Sequence, residues 1–218
     1  MNAFVSWARN TLGCLCVYAV TGAVFLRAFP APTQDVRRHV VTSLRAIPLY
    51  ALLPTACDAL TRAGLTRAYP GMLDRGVFGY VFFLAAHLAL VEAGVYWVHR
   101  ALHHPRLYWM HQRHHSFKER LTPFAGLAFA PADGLLQAFP YALALLLLPI
   151  HAGTHKLLLF SSGTWAAYIH SADSRPSWLL LGPRHHAVHH RTFKHNYGHY
   201  TQAMDAICGT LKEKVGGQ

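Results

Sequence analysis

Twelve of the seventeen histidines in this 218-residue chain fall in two short windows, six within residues 99–115 and six within 185–199. Uniform placement would put about two or three there. The spacing constrains the fold more than the count does. In HRALHH, His99 and His103 are four residues apart and share one face of a helix. In HQRHH, His111, His114 and His115 stand at i, i+3 and i+4, and HHAVHH repeats that spacing as His186, His189 and His190. A helix that presents imidazoles one turn apart grips a metal ion without bending its backbone. Imidazole suits zinc, copper, iron and nickel, and a chain with only nine Asp and Glu residues is poorly equipped for magnesium or calcium. Eight clustered imidazoles exceed the roughly four to six ligands of a single ion, so two metals fit better.

The three boxes also fix a topology, because the apolar stretch 135–169 lies between the second and the third. To share a centre, they must lie on one side of whatever that stretch crosses, which requires an even number of crossings. Hydrophobic residues make up 53% of the chain and charged residues 13%, roughly half the charged share of an ordinary soluble domain. A disordered chain is excluded, and a membrane protein is expected. Residues 11–26 form an uncharged first membrane segment flanked by Arg9 and Arg27. Residues 40–60 carry Arg45, Pro48, Pro54 and Asp58, which predicts a kinked span or an interfacial helix. Residues 77–98 are long enough for a bilayer core of ~30 Å, and their His87 and Glu92 are expected to face protein or a wet cavity. Residues 135–150 and 157–169 are short and read as a hairpin, broken by the polar residues His151, Gly153, Thr154, His155 and Lys156. The expected class is an all-α integral membrane protein with about four membrane-embedded helices. A helical cap then carries a histidine-rich di-metal site. No linker divides the chain, so residues 1–218 read as one domain. Residues 1–98 are mainly membrane helices, and 99–218 form the histidine-box core.

Lys and Arg outnumber Asp and Glu by 20 to 9. Many of the cations sit beside the boxes (Arg100, Arg106, Arg113, Lys118, Arg120, Arg184, Arg191, Lys194, Lys212 and Lys214), so the positive-inside rule places the boxes in the cytosol. Cys14, Cys16, Cys57 and Cys208 form no CxxC pair, which points away from a zinc finger or a disulfide framework. The isolated His39, His87, His151 and His155 read as helix-end or interface residues, and His104 and His185 as neighbours of ligand positions.

The runs YWVHRALHHPRLYWMHQRHHS, TPFAGLAFAPADGLLQAFPYAL and HHAVHHRTFKHNYGHYTQAMDAICGTL together resemble the fatty acid hydroxylase/sterol desaturase superfamily. Within it the likeness is to the plant-type Δ7-sterol C-5(6)-desaturases, or lathosterol oxidases, over about residues 30–213. PFAGLAF, the LLQAFP neighbourhood and KHNYGHYT are far more specific than the boxes. The resemblance implies that His99 and His103, then His111, His114 and His115, then His186, His189 and His190 are iron ligands. His170, in YIHSAD, matches an isolated family histidine. Two positions depart from the pattern: Ser174 stands where plant-type relatives tend to carry a histidine, and Ala130 makes AFAP of the family's AFHP.

The resemblance further implies two irons as cofactor, with zinc able to occupy the sites in purified samples because Fe(II) sits low in the affinity order. Its reaction draws dioxygen, and two electrons from NAD(P)H reach it through a reductase and cytochrome b5, an acidic carrier suited to the basic face. The implied location is the endoplasmic reticulum membrane, or the inner membrane of a prokaryote. The sterol enters sideways from the bilayer, walled by residues 77–98 and 135–169, with Thr122, Phe124 and Phe129 near the mouth. Nucleic acid is not an expected partner. Rival readings are a sterol C-4 methyl oxidase, a fatty acid or carotenoid hydroxylase, and a histidine-rich metal transporter. A transporter should carry its polar ligands mid-span, whereas these boxes lie at span ends and beyond.

Overall fold

A computed structural model describes residues 2–117, 121–173, 175 and 177–213. Lys118, Arg120, Ser174 and Lys214 therefore lie outside the described residues. Three helical stretches are long and apolar enough to cross a membrane: α1 (Ala3–Ala28), the pair α2 (Thr33–Tyr50) and α3 (Leu52–Arg62), and α4 (Gly76–Leu102). After the short α5 (Tyr108–His115) and a 3-10 turn (Pro123–Leu127) come α6 (Pro131–Leu147) and α7 (Ala152–Ile169). Helices α8 (Pro183–Thr192) and α9 (Ala203–Ile207) close the described chain.

Several boundaries differ from the sequence expectation for physical reasons. Helix α1 runs through Arg9 instead of starting after it, because Arg9 pairs with Asp58 of α3 at 3.0 Å. The 40–60 stretch, by contrast, fits the expected kinked span: within one stretch long and apolar enough to cross a membrane, two helices meet at Ala51, with Pro48 near the end of α2 and Pro54 in the first turn of α3. Each proline removes a donor from the helical ladder, which accounts for the break. The polar residues 151–156 are not a loop. His151 caps α7 by accepting from Thr154 N at 3.2 Å, and Lys156 reaches Asp58 at 2.8 Å, so they form the helix's first turn. The connection before them pairs Ile150–His151 with Ala68–Tyr69 as a two-residue parallel ladder, β2 with β1, which with an antiparallel bridge between Leu180 and Thr201 departs from an all-α chain. Helix α7 is not one of the long apolar helices, and at 17 residues α6 spans only ~26 Å at 1.5 Å per residue.

Helix α1 packs on α7, and α4 on α6. Val91 and Val95 of α4 meet Tyr141 and Ala144 of α6 and Leu159 of α7 in one buried cluster. Gly94 permits this contact, since a Cβ there would stand 2.7 Å from the Cβ of Pro140. The lipid-sized faces left over are apolar and exposed, including Val20 and Val24 of α1 and Phe78 and Phe82 of α4. Exposed apolar surface of this extent suits a bilayer and not water.

The PFAGLAF segment is the 3-10 turn, and it lies across the bundle where α1, α2 and α7 meet. Tyr18 and Ser43 donate to the Phe124 carbonyl at 3.2 and 3.3 Å, and Tyr50 donates to the Phe129 carbonyl at 3.1 Å. Gly126 lets the turn rest directly on α7, because a Cβ there would lie 2.6 Å from the backbone carbon of Ala166.

Candidate metal centre

The C-terminal end of α4, the whole of α5, the end of α7 and α8 converge, and their imidazoles sort into two sets. One comprises His99, His103, His111, His115 and His189; the other comprises His114, His170, His186 and His190. Within each set, one ring nitrogen per residue lies within 4.8 Å of all the others. All nine histidines that the sequence singles out are therefore brought together. The i, i+4 pairs His111/His115 and His186/His190 each serve one set, while His114 and His189, between them in sequence, serve the opposite set.

The outward-facing nitrogens define the protonation of the inward ones. His111 Nδ1 donates to Asp133 Oδ2 at 2.7 Å, with both side chains fully buried. His170 Nδ1 donates to the Ala166 carbonyl at 2.7 Å, His189 Nδ1 to the His195 carbonyl at 2.8 Å, and His99 Nδ1 to the Tyr197 carbonyl at 3.1 Å. A neutral imidazole with its proton on Nδ1 has only a lone pair on Nε2. Yet His189 Nε2 stands 3.2 Å from His103 Nε2 and 3.1 Å from His115 Nε2. His170 Nε2 likewise stands 3.1 Å from His114 Nε2 and 3.0 Å from His186 Nε2. One lone pair cannot satisfy two such neighbours, and the buried His99 Nε2 has no hydrogen-bond partner at all. A shared cation resolves each case. Nitrogens about 2.1 Å from one ion and about 90–100° apart lie roughly 3.0–3.2 Å from one another, so the observed spacings fit.

Burial first, and neighbouring imidazoles second, hold His114, His186, His189 and His190 well below the ordinary histidine range. The half-buried His103 is drawn down to about 3 by burial and then by His111. These five donors are thus neutral and available to a metal at physiological pH.

An apolar cavity of about 160 Å³ ends on this cluster, where His99, His111, His114, His170 and His186 form its wall. Helices α4, α6 and α7 line it as expected, and Val17 of α1 and Leu53 of α3 join them. Of the three residues expected near its mouth, Phe129 does line it, with its ring 4.3 Å from that of His114. Thr122 and Phe124 are not among the lining residues. Thr122 is buried against His39, 2.9 Å from its Nδ1, and the Phe124 ring packs on Tyr18 at 5.2 Å. Ala130 is the residue before α6, at the position that caps the helix.

Sequence reasoning missed Asp133, whose only signal is a lone carboxylate at the head of an apolar run. It also missed how KHNYGHYT acts. Asn196 sits at φ 57°, a conformation asparagine tolerates, and its Nδ2 donates to the His185 and Lys212 carbonyls. That turn aims the His195 and Tyr197 carbonyls at two of the clustered histidines. Glu92, foreseen as facing protein, accepts from the backbone N–H groups of Tyr200 and Thr201 at 2.9 and 3.0 Å and holds the segment to α4. His104 is exposed, and the buried His185 belongs to neither set.

The family model described as fatty acid hydroxylase matches residues 84–210, which contain every clustered histidine. This chain belongs to the fatty acid hydroxylase family. A Δ7-sterol-C5(6)-desaturase of Nicotiana tabacum is 36% identical over 96% of this chain and 83% of its own length. An Arabidopsis thaliana protein named for the same activity is 38% identical over 94% of the chain and 80% of its own. The human lathosterol oxidase is 34% identical over 82% of the chain and 62% of its own. No solved structure matches significantly. This fatty acid hydroxylase family member is thus similar to sterol-oxidising enzymes, and it pairs long apolar helices with two histidine clusters able to hold metal ions.

Proposed function

We propose that this chain is a membrane-bound di-iron oxidase that introduces the C-5(6) double bond into Δ7-sterols. The observation that carries the reading is the closure of an apolar cavity by two convergent sets of imidazoles. Bound by the five-histidine and the four-histidine set, two irons would supply the dioxygen activation that no side chain can provide. In balance, the sterol loses one hydrogen from C-5 and one from C-6, and dioxygen takes these with two electrons and two protons to become two waters.

The chain's own residues bind, orient and exclude. Asp133 and the carbonyls of Ala166, His195 and Tyr197 fix the tautomers of His111, His170, His189 and His99, so that each Nε2 lone pair faces inward. The apolar walls admit a sterol from the bilayer and keep water from the reacting carbons. Phe129, its ring tilted against that of His114, narrows the cavity beside the cluster.

The whole of residues 1–218 forms one unit in this reading. Helices α1, α2–α3 and α4 cross the endoplasmic reticulum membrane, α6 and α7 form the embedded hairpin, and the histidine end faces the cytosol. That end exposes Arg100, Arg106, Arg113, Arg191 and Lys194, which suit cytochrome b5 as the acidic carrier of electrons from NAD(P)H.

The test is expression in yeast lacking its own sterol C-5 desaturase, with sterols read by mass spectrometry and ultraviolet absorption. Δ5,7-dienes are expected with the wild-type chain and absent with His114→Ala. Unchanged Δ7-sterols beside a stable, membrane-inserted protein would overturn the substrate assignment. A hydroxysterol in place of the diene would keep the substrate and change the outcome.

A further inference from the structure

The cavity contains one polar node away from the histidine clusters. Tyr141, 1% exposed, places its hydroxyl 2.9 Å from His199 Nε2 and 2.6 Å from the Tyr200 hydroxyl. Tyr141, His199 and Ser162 line the cavity that also reaches His99 and His114. Tyr141 packs against Val95, which stands one helical turn (~6 Å) before His99 on α4. The node therefore lies a short distance below the clusters, with apolar wall around it.

Its hydrogen-bond arithmetic is unbalanced. Each tyrosine hydroxyl donates once and accepts twice, and His199 Nε2 accepts once when its proton is on Nδ1. The two contacts within the node consume both hydroxyl protons and two of five acceptor positions, which leaves acceptors in surplus. The nearby serines relieve this only in part: Ser162 reaches the Tyr141 hydroxyl and Ser161 that of Tyr200, but each has a single proton and also donates to a backbone carbonyl, that of Leu159 and of Leu158, at 2.7 and 2.9 Å. His199 is held in place from behind by Trp165 Nε1, which donates to its carbonyl at 2.7 Å.

From this node we infer that Tyr141, with His199 and Tyr200 behind it, accepts a hydrogen bond from the 3-hydroxyl of the sterol and thereby sets which ring carbons face the clusters. The inference rests on the sterol reading above. A sterol carries a single polar group, on the ring next to the bond to be desaturated. A hydroxyl donor held one turn from His99 leaves the hydrocarbon tail to run along the apolar walls towards lipid. An acceptor-rich site discriminates strongly against an analogue without the hydroxyl proton, because its buried acceptors are then left unpaired.

Saturation binding of a tritiated Δ7-sterol and of its tritiated 3-methyl ether to the detergent-solubilised full-length protein tests this, with turnover of both followed in membranes. The wild type is expected to bind the free sterol about tenfold to a hundredfold more tightly than the ether. Tyr141→Phe should bring the two within about threefold, chiefly through a raised KM for the free sterol, with kcat changed less. His199→Gln, which keeps a polar atom behind Tyr141, should retain an intermediate preference. Equal wild-type affinity for sterol and ether, or full discrimination in Tyr141→Phe, would overturn the inference. Preferential binding of the free sterol without Δ5,7-diene formation would reject the desaturase reading and leave the hydroxyl contact standing.

Discussion

At one end of the bundle, Asp58 accepts from Ser6 at 2.9 Å, from Asn10 at 3.1 Å and from Lys156, and pairs with Arg9. It thereby ties α1, α3 and α7 together. At the other end, nine imidazoles bring α4, α5, α7 and α8 together. Both regions bury polar atoms between helices, but the first closes on itself: its carboxylate has cations and donors on several sides. The second has lone pairs facing lone pairs, and the donors of His99, His111, His170 and His189 point outward to carbonyls and to Asp133. A self-satisfied cluster holds a fold together, whereas one built only of inward acceptors is complete only with a cation.

The largest effect separating these regions should come from the histidines. His186→Ala removes one of four donors and should abolish diene formation and cost about one of two bound irons, read by elemental analysis of the purified protein. His103→Ala removes the half-buried member of the five-donor set, and retention of measurable turnover there would show that this set has a donor to spare. Next comes Asp133→Ala, which leaves the ring of His111 unheld and should lower activity about 10- to 100-fold with the protein still folded. An unchanged rate would mean that His111 needs no support.

Asp58→Asn inverts the expectation. Thermal unfolding in detergent should shift down by the equivalent of about 1–2 kcal/mol, a modest figure because Arg9 and Lys156 are 51% and 36% exposed. Its metal content should stay at the wild-type level; loss of iron in this variant would break the separation between the two ends. The smallest effect is kinetic. Raising ionic strength from about 0.05 to about 0.3 M should slow reduction by cytochrome b5 severalfold, and a flat response would remove the basic face from electron delivery.

The histidine end was legible in the sequence because i, i+3, i+4 spacing survives any tertiary arrangement that keeps the helices. The hairpin was legible from its two apolar runs, and α6 and α7 return the chain to the histidine end. The partition of donors between two sets was not, because it depends on how α5 and α8 are rotated against each other. Nor was the role of KHNYGHYT, which acts through the carbonyls of His195 and Tyr197, groups every residue possesses. Thr122 and Phe124 misled for a related reason: a distinctive motif marks a tightly packed turn as readily as a substrate contact. At the Asp58 end, charges inside an apolar stretch resembled helix breaks until their partners on other helices were visible.

Because α5 and α8 each send donors to both sets, neither cluster can be ordered alone. Fixing His111 and His115 around one ion also fixes the rotation of the helix that carries His114, and His189 does the same for His186 and His190. The entropy of immobilising both helices is lost largely with the first ion, so the second should bind more tightly than the first. Iron uptake by the empty protein should then be steep, with few molecules holding a single ion at half-saturation. Such a protein is guarded against partial loading, the state in which one reactive iron would sit without its partner.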